Sequence, residues 1–186
     1  MVLLTVPHSG TRFTMEFFQY LGFASWHPTI DKSDKTVYFQ QHTGPHSHRE
    51  DGMSIDNNKV IVTVTHPYRC FISFLGRPNK PFELLVECWD ELLDTLGDID
   101  YYIFDINCHE FDRFNQLYGI VKHVGLESDE LMKLTREFAD EWRVVHAQDS
   151  KFKTAYLKDG TMPEGYNYAE LDRAVRWYEN LPTNSY

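Results

Sequence analysis

Residues 6–13 read VPHSGTRF, directly after the apolar run MVLLT and directly before a stretch with helical spacing. A strand, a turn of small residues and a helix often form a phosphate-binding arrangement, because the N–H groups and dipole at a helix N-terminus favour an anion. Ser9, Gly10 and Thr11 offer such N–H groups. Thr11 adds a hydroxyl, and Arg12 adds a guanidinium suited to phosphate or sulfate oxygens. The alternative is an ordinary strand-to-helix turn with a capping residue.

This segment does not follow the P-loop pattern G-x-x-x-x-G-K-[ST], in which Lys reaches the terminal phosphates and Ser/Thr holds magnesium. With Gly10 as the second glycine, Thr5 occupies the first glycine position, Thr11 the lysine position and Arg12 the metal-ligand position. The sequence therefore indicates a phosphate-binding loop and argues against magnesium-dependent splitting of ATP or GTP.

Strand and helix patterns alternate along the chain. Apolar, β-branched runs predict strands at 2–6, 36–40, 59–65 and 101–106, and helical spacing predicts helices at 12–21, 68–75, 81–96, 111–124, 128–146 and 168–180. This alternation is typical of an α/β fold with three layers. We expect a doubly wound, mainly parallel sheet of about four or five strands, similar to that of P-loop NTPases, a helical C-terminal part, and one domain spanning residues 1–186.

Composition narrows the class of protein. A protein that binds nucleic acid normally presents a basic face, so the formal net charge of −10 argues against a nucleic-acid partner. The 3 cysteines include no CxxC pair, which fits a reducing compartment. The N-terminal apolar run has no basic leader, and no segment approaches the ~20 apolar residues of a membrane span. These features predict a cytoplasmic protein without a membrane span, and they leave its oligomeric state open.

A second segment, KVIVTVTHPYRCFIS at residues 59–73, reads as a strand, a His-Pro break and a helix. Together the two segments resemble the sulfotransferase family, which uses 3′-phosphoadenosine 5′-phosphosulfate (PAPS) as donor. The family's first motif reads approximately P-K-S-G-T-[TR]-[WF], and residues 7–13 here read PHSGTRF, from Pro7 to Phe13. Its second reads approximately V-x-R-[DN]-P-x-x-x-x-x-S, and residues 64–73 here read VTHPYRCFIS, ending at Ser73.

Two further segments extend the resemblance over residues 2 to about 130. The family often carries K-x-H at the end of its second strand, and residues 40–42 here read QQH. The predicted strand at 101–105, the following helix and Gly125-Leu126 resemble the family's strand–loop–helix segment. The chain departs from the family at three places: His8 replaces the loop lysine, Thr65 replaces the arginine at the 3′-phosphate, and the C-terminal Arg-Lys-Gly loop is not recognisable.

The resemblance implies roles in donor binding. His8 and Arg12 would stabilise the leaving 5′-phosphate by preorganised electrostatics. Thr65, Arg69 and Ser73 would form the 3′-phosphate pocket, with Arg69 substituting for the missing arginine. An ordinary exposed helix arginine is the alternative for Arg69. Phe13 would pack on the adenine, and a core position in the first helix is its alternative.

His42 is the candidate general base, because an unperturbed imidazole titrates near ~6.5 and suits proton abstraction around neutral pH. The alternative is a solvated loop histidine. The segment HTGPHSHRED at 42–51 also suggests a zinc site built from His42, His46 and His48 with Glu50 or Asp51. Its spacing lacks HExxH and a cysteine ligand, so we expect no metal.

These observations predict a sulfotransferase that transfers a sulfuryl group from PAPS to an acceptor hydroxyl or amine by in-line displacement. The acceptor, a small molecule or a carbohydrate, is not indicated. The alternatives are a P-loop nucleotide kinase or phosphotransferase, and a non-catalytic nucleotide-binding relative.

Overall fold

The computed structural model describes residues 1–7, 9–23, 39–42, 59–75, 81–97, 99–108, 112–148 and 162–181, with the backbone alone for Arg12, 39–42 and 142–148. The strands are β1 (Val2–Thr5), β2 (Phe39–His42), β3 (Val60–Val64) and β4 (Tyr101–Asp105). The helices are α1 (Thr11–Tyr20), α2 (Pro67–Leu75), α3 (Phe82–Leu96), α4 (Arg113–His123), α5 (Asp129–Gln148) and α6 (Asp172–Glu179), and a 3-10 turn (Tyr168–Leu171) precedes α6.

The four strands form one sheet in the order β2-β1-β3-β4, and all three pairings are parallel. The prediction of an α/β fold built on a parallel sheet is confirmed. From β1 the chain first adds β2 on one side and then β3 on the other, so the strand order reverses between β1 and β3. Ligands of such sheets bind in the crevice outside the carboxyl ends of the strands at this reversal. The segments after β1 and β3 therefore meet at the crevice.

Helices cover both faces of the sheet because successive strand side chains point to opposite faces. Val2 and Leu4 belong to a core formed with α2, α3 and α6. Leu3 and Ile61 belong to a second core formed with α1, α4 and α5. Burial on both faces explains why β1 and β3 read as nearly continuous apolar runs in the sequence.

Several predicted helix ends agree with the structure. Gly22 has φ 85° just after α1, as expected of a residue that ends a helix. The Ser128 hydroxyl accepts the N–H of Leu131 at 3.1 Å, which is the expected N-terminal cap of α5. The C-terminal prediction was wrong in one detail, because residues 168–171 form a 3-10 turn and do not continue into α6 as one α-helix.

The turn between β1 and α1 depends on Gly10. Its φ is 97°, in the left-handed region that favours glycine. A Cβ atom at this position would lie 2.5 Å from Cδ1 and 3.2 Å from Cβ of Ile106, which follows β4. Gly10 thus allows the loop to cross the end of β3 and contact the chain beyond β4.

We expect Gly10→Ala to lower the free energy of unfolding by about 2–5 kcal/mol, from left-handed strain of about 1–2 kcal/mol and a steric clash of about 1–3 kcal/mol. Gly22→Ala is the matched control, since Gly22 has φ 85° and the described residues place no atom within 4 Å of the added Cβ. It should lose only the strain contribution. Urea unfolding measures both variants, and equal losses would contradict the importance of the Ile106 contact.

Candidate functional site

Ser9 fastens the loop after β1 to the neighbouring strand. Its side chain is fully buried, and its hydroxyl lies 2.7 Å from the Val6 carbonyl oxygen and 2.9 Å from that of Thr63 on β3. The Ser9 N–H donates to the Val6 carbonyl at 3.1 Å. The expectation that this N–H faces an anion is therefore wrong, because it closes the turn instead.

Further hydroxyl groups join α1 to the ends of β1 and β3. On the face toward α1, the aliphatic positions Leu3 and Ile61 are followed two residues later by buried threonines, Thr5 and Thr63. Thr5 accepts a hydrogen bond from the Thr11 hydroxyl at 2.9 Å. The hydroxyls of Thr14 and Thr63 lie 2.8 Å apart. The face therefore changes from apolar to hydrogen-bonded as the strands approach the crevice.

Thr11 consequently uses its hydroxyl within the protein, with 7% of the residue exposed. This corrects the expectation that the hydroxyl would face an anion. The N–H groups of Gly10 and Thr11 remain at the N-terminus of α1, and within the described ranges neither has a hydrogen-bond partner. Among the described atoms of the loop, these two backbone donors suit an external anion.

Two other residues of the first motif lie in the interior. The buried Pro7 accepts a hydrogen bond through its carbonyl from the Cys70 thiol of α2, at 2.8 Å. Phe13 is 4% exposed, and its ring centroid lies 5.4 Å from that of Phe104 and 5.3 Å from that of Phe138. The expectation that Phe13 packs on an adenine is corrected in favour of its alternative, a core position.

Polar residues from the ends of β3 and β4 meet at the crevice. Arg69 is exposed on the first turns of α2, and its Nη1 donates to Oδ1 of Asn107 at 2.7 Å. Asn107 in turn donates from Nδ2 to Oγ1 of Thr65, which is 5% exposed. Thr65 and Arg69, both predicted for one pocket, are thus joined through an asparagine that the sequence reasoning missed.

Asp105 holds this asparagine and connects it to the C-terminal helix. Its Oδ1 accepts the Asn107 main-chain N–H at 2.8 Å, and its Oδ2 accepts the Tyr178 hydroxyl of α6 at 2.5 Å. Burial and the adjacent carboxylate raise the pKa of Tyr178, so it stays a donor. Asp105 and Asn107 were detectable as polar residues at the carboxyl end of a buried strand, whereas Tyr178 had no local signal.

The remaining predicted residues are placed in part. His42 ends β2 and lies opposite Thr5 in the strand register, which brings its backbone to the crevice edge of the sheet. Ser73 is half-buried one helical turn beyond Arg69 on α2. His8 lies outside the described residues, and of Arg12 only the backbone position in α1 is described.

His66 caps α2 with its ring. Its Nδ1 accepts the main-chain N–H of Tyr68 at 3.3 Å, which requires an unprotonated Nδ1. Burial lowers the pKa of His66, against the opposing effects of the Glu179 and Asp105 carboxylates, and the Arg69 charge lowers it further. The neutral imidazole is thus the form that fits this capping position.

The metal hypothesis concerned His42, His46 and His48, of which the last two lie outside the described residues. Within the part of the chain that the structure describes, no group of three histidine, cysteine or carboxylate side chains is placed to hold a metal ion. A cleft of about 380 Å³ lies between β4 and α4, lined by Tyr102, Asn115, Tyr118, Gly119, Lys122 and His123. None of the predicted site residues whose side chains are described lines it.

Comparison with known proteins gives no further assignment. No model of a protein family matches the chain, and no curated protein matches its sequence. Among the helices of the described ranges, none is long and apolar enough to cross a membrane.

The His66 cap predicts a pH dependence of stability. The pKa of His66 in the folded protein is below its ordinary value of 6.5. The stability that neutral His66 contributes is therefore complete above pH 6.5 and is lost as the pH falls from there through the lower folded pKa. His66→Asn keeps an acceptor for the Tyr68 N–H and cannot titrate. We expect the variant to lose less stability than the wild type between pH 7 and pH 5, measured by urea unfolding.

His123 also has a pKa lowered by burial, so part of the slope should persist in the variant. An unchanged slope in His66→Asn would contradict a titrating cap at this position.

Proposed function

We propose that the protein transfers a sulfuryl group from PAPS to an acceptor hydroxyl or amine. The observation that carries the proposal is that two kinds of group that suit an anion follow the adjacent parallel strands β1 and β3, at the same edge of the sheet. The N–H groups of Gly10 and Thr11 lie at one side. The Arg69 guanidinium lies on the helix that follows β3. A donor with phosphates at both its 3′ and 5′ positions suits two separate anion sites.

In the proposed complex, the loop N–H groups and the side chains of His8 and Arg12 bind the 5′-phosphosulfate end of the donor. Thr65, Arg69 and Ser73 bind its 3′-phosphate, with Arg69 supplying the charge. Because Phe13 is buried, the adenine has to be bound by other residues.

The chemical step is an in-line displacement at sulfur. The acceptor oxygen forms a bond to sulfur while the bond from sulfur to the bridging phosphate oxygen breaks. The acceptor proton passes to His42, and the negative charge that develops on the leaving phosphate is stabilised by the loop. No metal ion takes part, which suits a loop with Arg12 where a P-loop has its metal ligand.

A non-catalytic nucleotide-binding relative is the second candidate. The observation in its favour is that the hydroxyls of Ser9 and Thr11 are used inside the protein, which leaves fewer polar side chains of the loop for a reacting group. The kinase alternative has less support, because it needs the lysine and the metal ligand that the loop lacks.

Calorimetric titration with 3′-phosphoadenosine 5′-phosphate, the desulfated donor product, tests the donor site directly. In EDTA we expect a dissociation constant in the range of about 1–100 μM, typical of a specific nucleotide site. Arg69→Ala should weaken binding about 10- to 100-fold, the value of one charge-assisted hydrogen bond to a phosphate.

Arg173→Ala is the matched control, because Arg173 lies on α6 and pairs with Asp90 and Asp94 of α3 at 3.2 and 2.5 Å. Its removal should leave the affinity unchanged. Absence of binding to the wild type, together with magnesium-dependent binding of ATP, would replace the sulfotransferase proposal by the kinase alternative.

His42→Ala separates catalysis from binding. If His42 is the base, the variant should bind 3′-phosphoadenosine 5′-phosphate as the wild type does and transfer sulfuryl groups about 10²- to 10⁴-fold more slowly. Transfer is measured with ³⁵S-labelled PAPS and a panel of phenols and sugars. Wild-type binding with no transfer to any acceptor would favour the non-catalytic relative.

A further inference from the structure

A continuous set of hydrogen bonds leads from the C-terminal helix to the guanidinium at the crevice. Tyr178 donates to Asp105 at 2.5 Å, the Asp105 carboxylate accepts the Asn107 main-chain N–H at 2.8 Å, and Asn107 accepts from Arg69 at 2.7 Å. The set connects α6, the end of β4 and the first turns of α2. Tyr178 and Asp105 lie 73 positions apart in sequence.

The donors and acceptors fix the orientation of the Asn107 amide. A guanidinium only donates, so the atom facing Arg69 has to be Oδ1. Nδ2 is then directed to the Thr65 hydroxyl and, at 3.3 Å, to Oδ1 of Asp105. Because both sides of the amide have partners, Asn107 holds Arg69 in one direction beside Thr65.

The Tyr178 hydroxyl occupies an oxygen of Asp105 that could otherwise pair with the Arg69 guanidinium. A carboxylate and a guanidinium form strong, often bidentate pairs. In the structure, Oδ2 of Asp105 accepts from Tyr178 and Oδ1 accepts from Asn107, so both carboxylate oxygens have hydrogen-bond partners. Loss of the Tyr178 hydroxyl frees a carboxylate oxygen to compete with an incoming anion for the guanidinium.

We propose that Asn107 and Tyr178 are positioning residues that orient Arg69 for the 3′-phosphate, so that α6 contributes to the affinity for that phosphate. This inference rests on the proposed function, since it assumes a ligand with a 3′-phosphate. In this proposal, α6 affects ligand binding indirectly, through the hydrogen bonds from Tyr178 to Asp105 and from Asp105 to Asn107.

The experiment compares two probes, 3′-phosphoadenosine 5′-phosphate and adenosine 5′-phosphate, by calorimetry. Tyr178→Phe and Asn107→Ala should each weaken binding of the first probe about 3- to 10-fold, the range expected for one hydrogen bond, and leave binding of the second unchanged. In an Arg69→Ala background, Tyr178→Phe should have no further effect on either probe.

Tyr168→Phe is the matched control. Tyr168 lies in the turn before α6, and its hydroxyl donates to the Pro163 carbonyl, outside the set that leads to Arg69. This variant should bind both probes as the wild type does. Thermal unfolding of every variant verifies that each is folded at the titration temperature.

The outcomes distinguish this inference from the proposed function. If the wild type binds neither probe, the proposed function fails and this inference fails with it. If the wild type binds and Arg69→Ala weakens binding while Tyr178→Phe and Asn107→Ala do not, the function stands and the positioning role is overturned. Equal weakening for both probes, or an undiminished Tyr178→Phe effect without Arg69, would also overturn it.

Discussion

Buried hydroxyl groups hold α1 against the carboxyl ends of β1 and β3, and the rest of the crevice depends on that attachment. The pair Thr5 and Thr11 and the pair Thr14 and Thr63 satisfy one another in an interior where an unpaired hydroxyl would be costly. Apolar packing tolerates small shifts of a helix, whereas paired hydroxyls require one distance and direction. The first turn of α1, and the N–H groups at its start, therefore have a defined position beside the loop.

The same attachment decides which groups can meet a ligand. Because the hydroxyls of Ser9 and Thr11 are directed inward, the described part of the loop presents backbone N–H groups, and not these hydroxyls, at the crevice. The chain as a whole has 28 acidic and 18 basic residues, so a basic side chain at the crevice acts against the average charge of the protein. Arg69 has this role in the proposed complex, and Asn107 holds it beside Thr65.

The sequence was informative where physical signals are local. The β-branched run at residues 59–65 predicted β3, and the small residues after β1 predicted the turn at Gly10. Phe13 was ambiguous for a physical reason: its four-residue spacing from Phe17 fits both a ligand-facing aromatic and a core position, and only the packing against Phe138 distinguishes them. Strand order and the bond between Tyr178 and Asp105 join distant segments, and residue types alone do not encode such pairings.

Asp105 is synthesised 73 positions before its hydrogen-bond partner Tyr178. Each parallel pairing joins distant segments and closes a long loop, so the pairing of β3 with β4, the last strand described, cannot begin until β4 has left the ribosome. At that stage Asp105 is present and its tyrosine partner is not. In a growing chain, the Asp105 carboxylate therefore lacks its tyrosine donor until α6 emerges and docks. Docking of α6 completes the hydrogen bonds of the crevice.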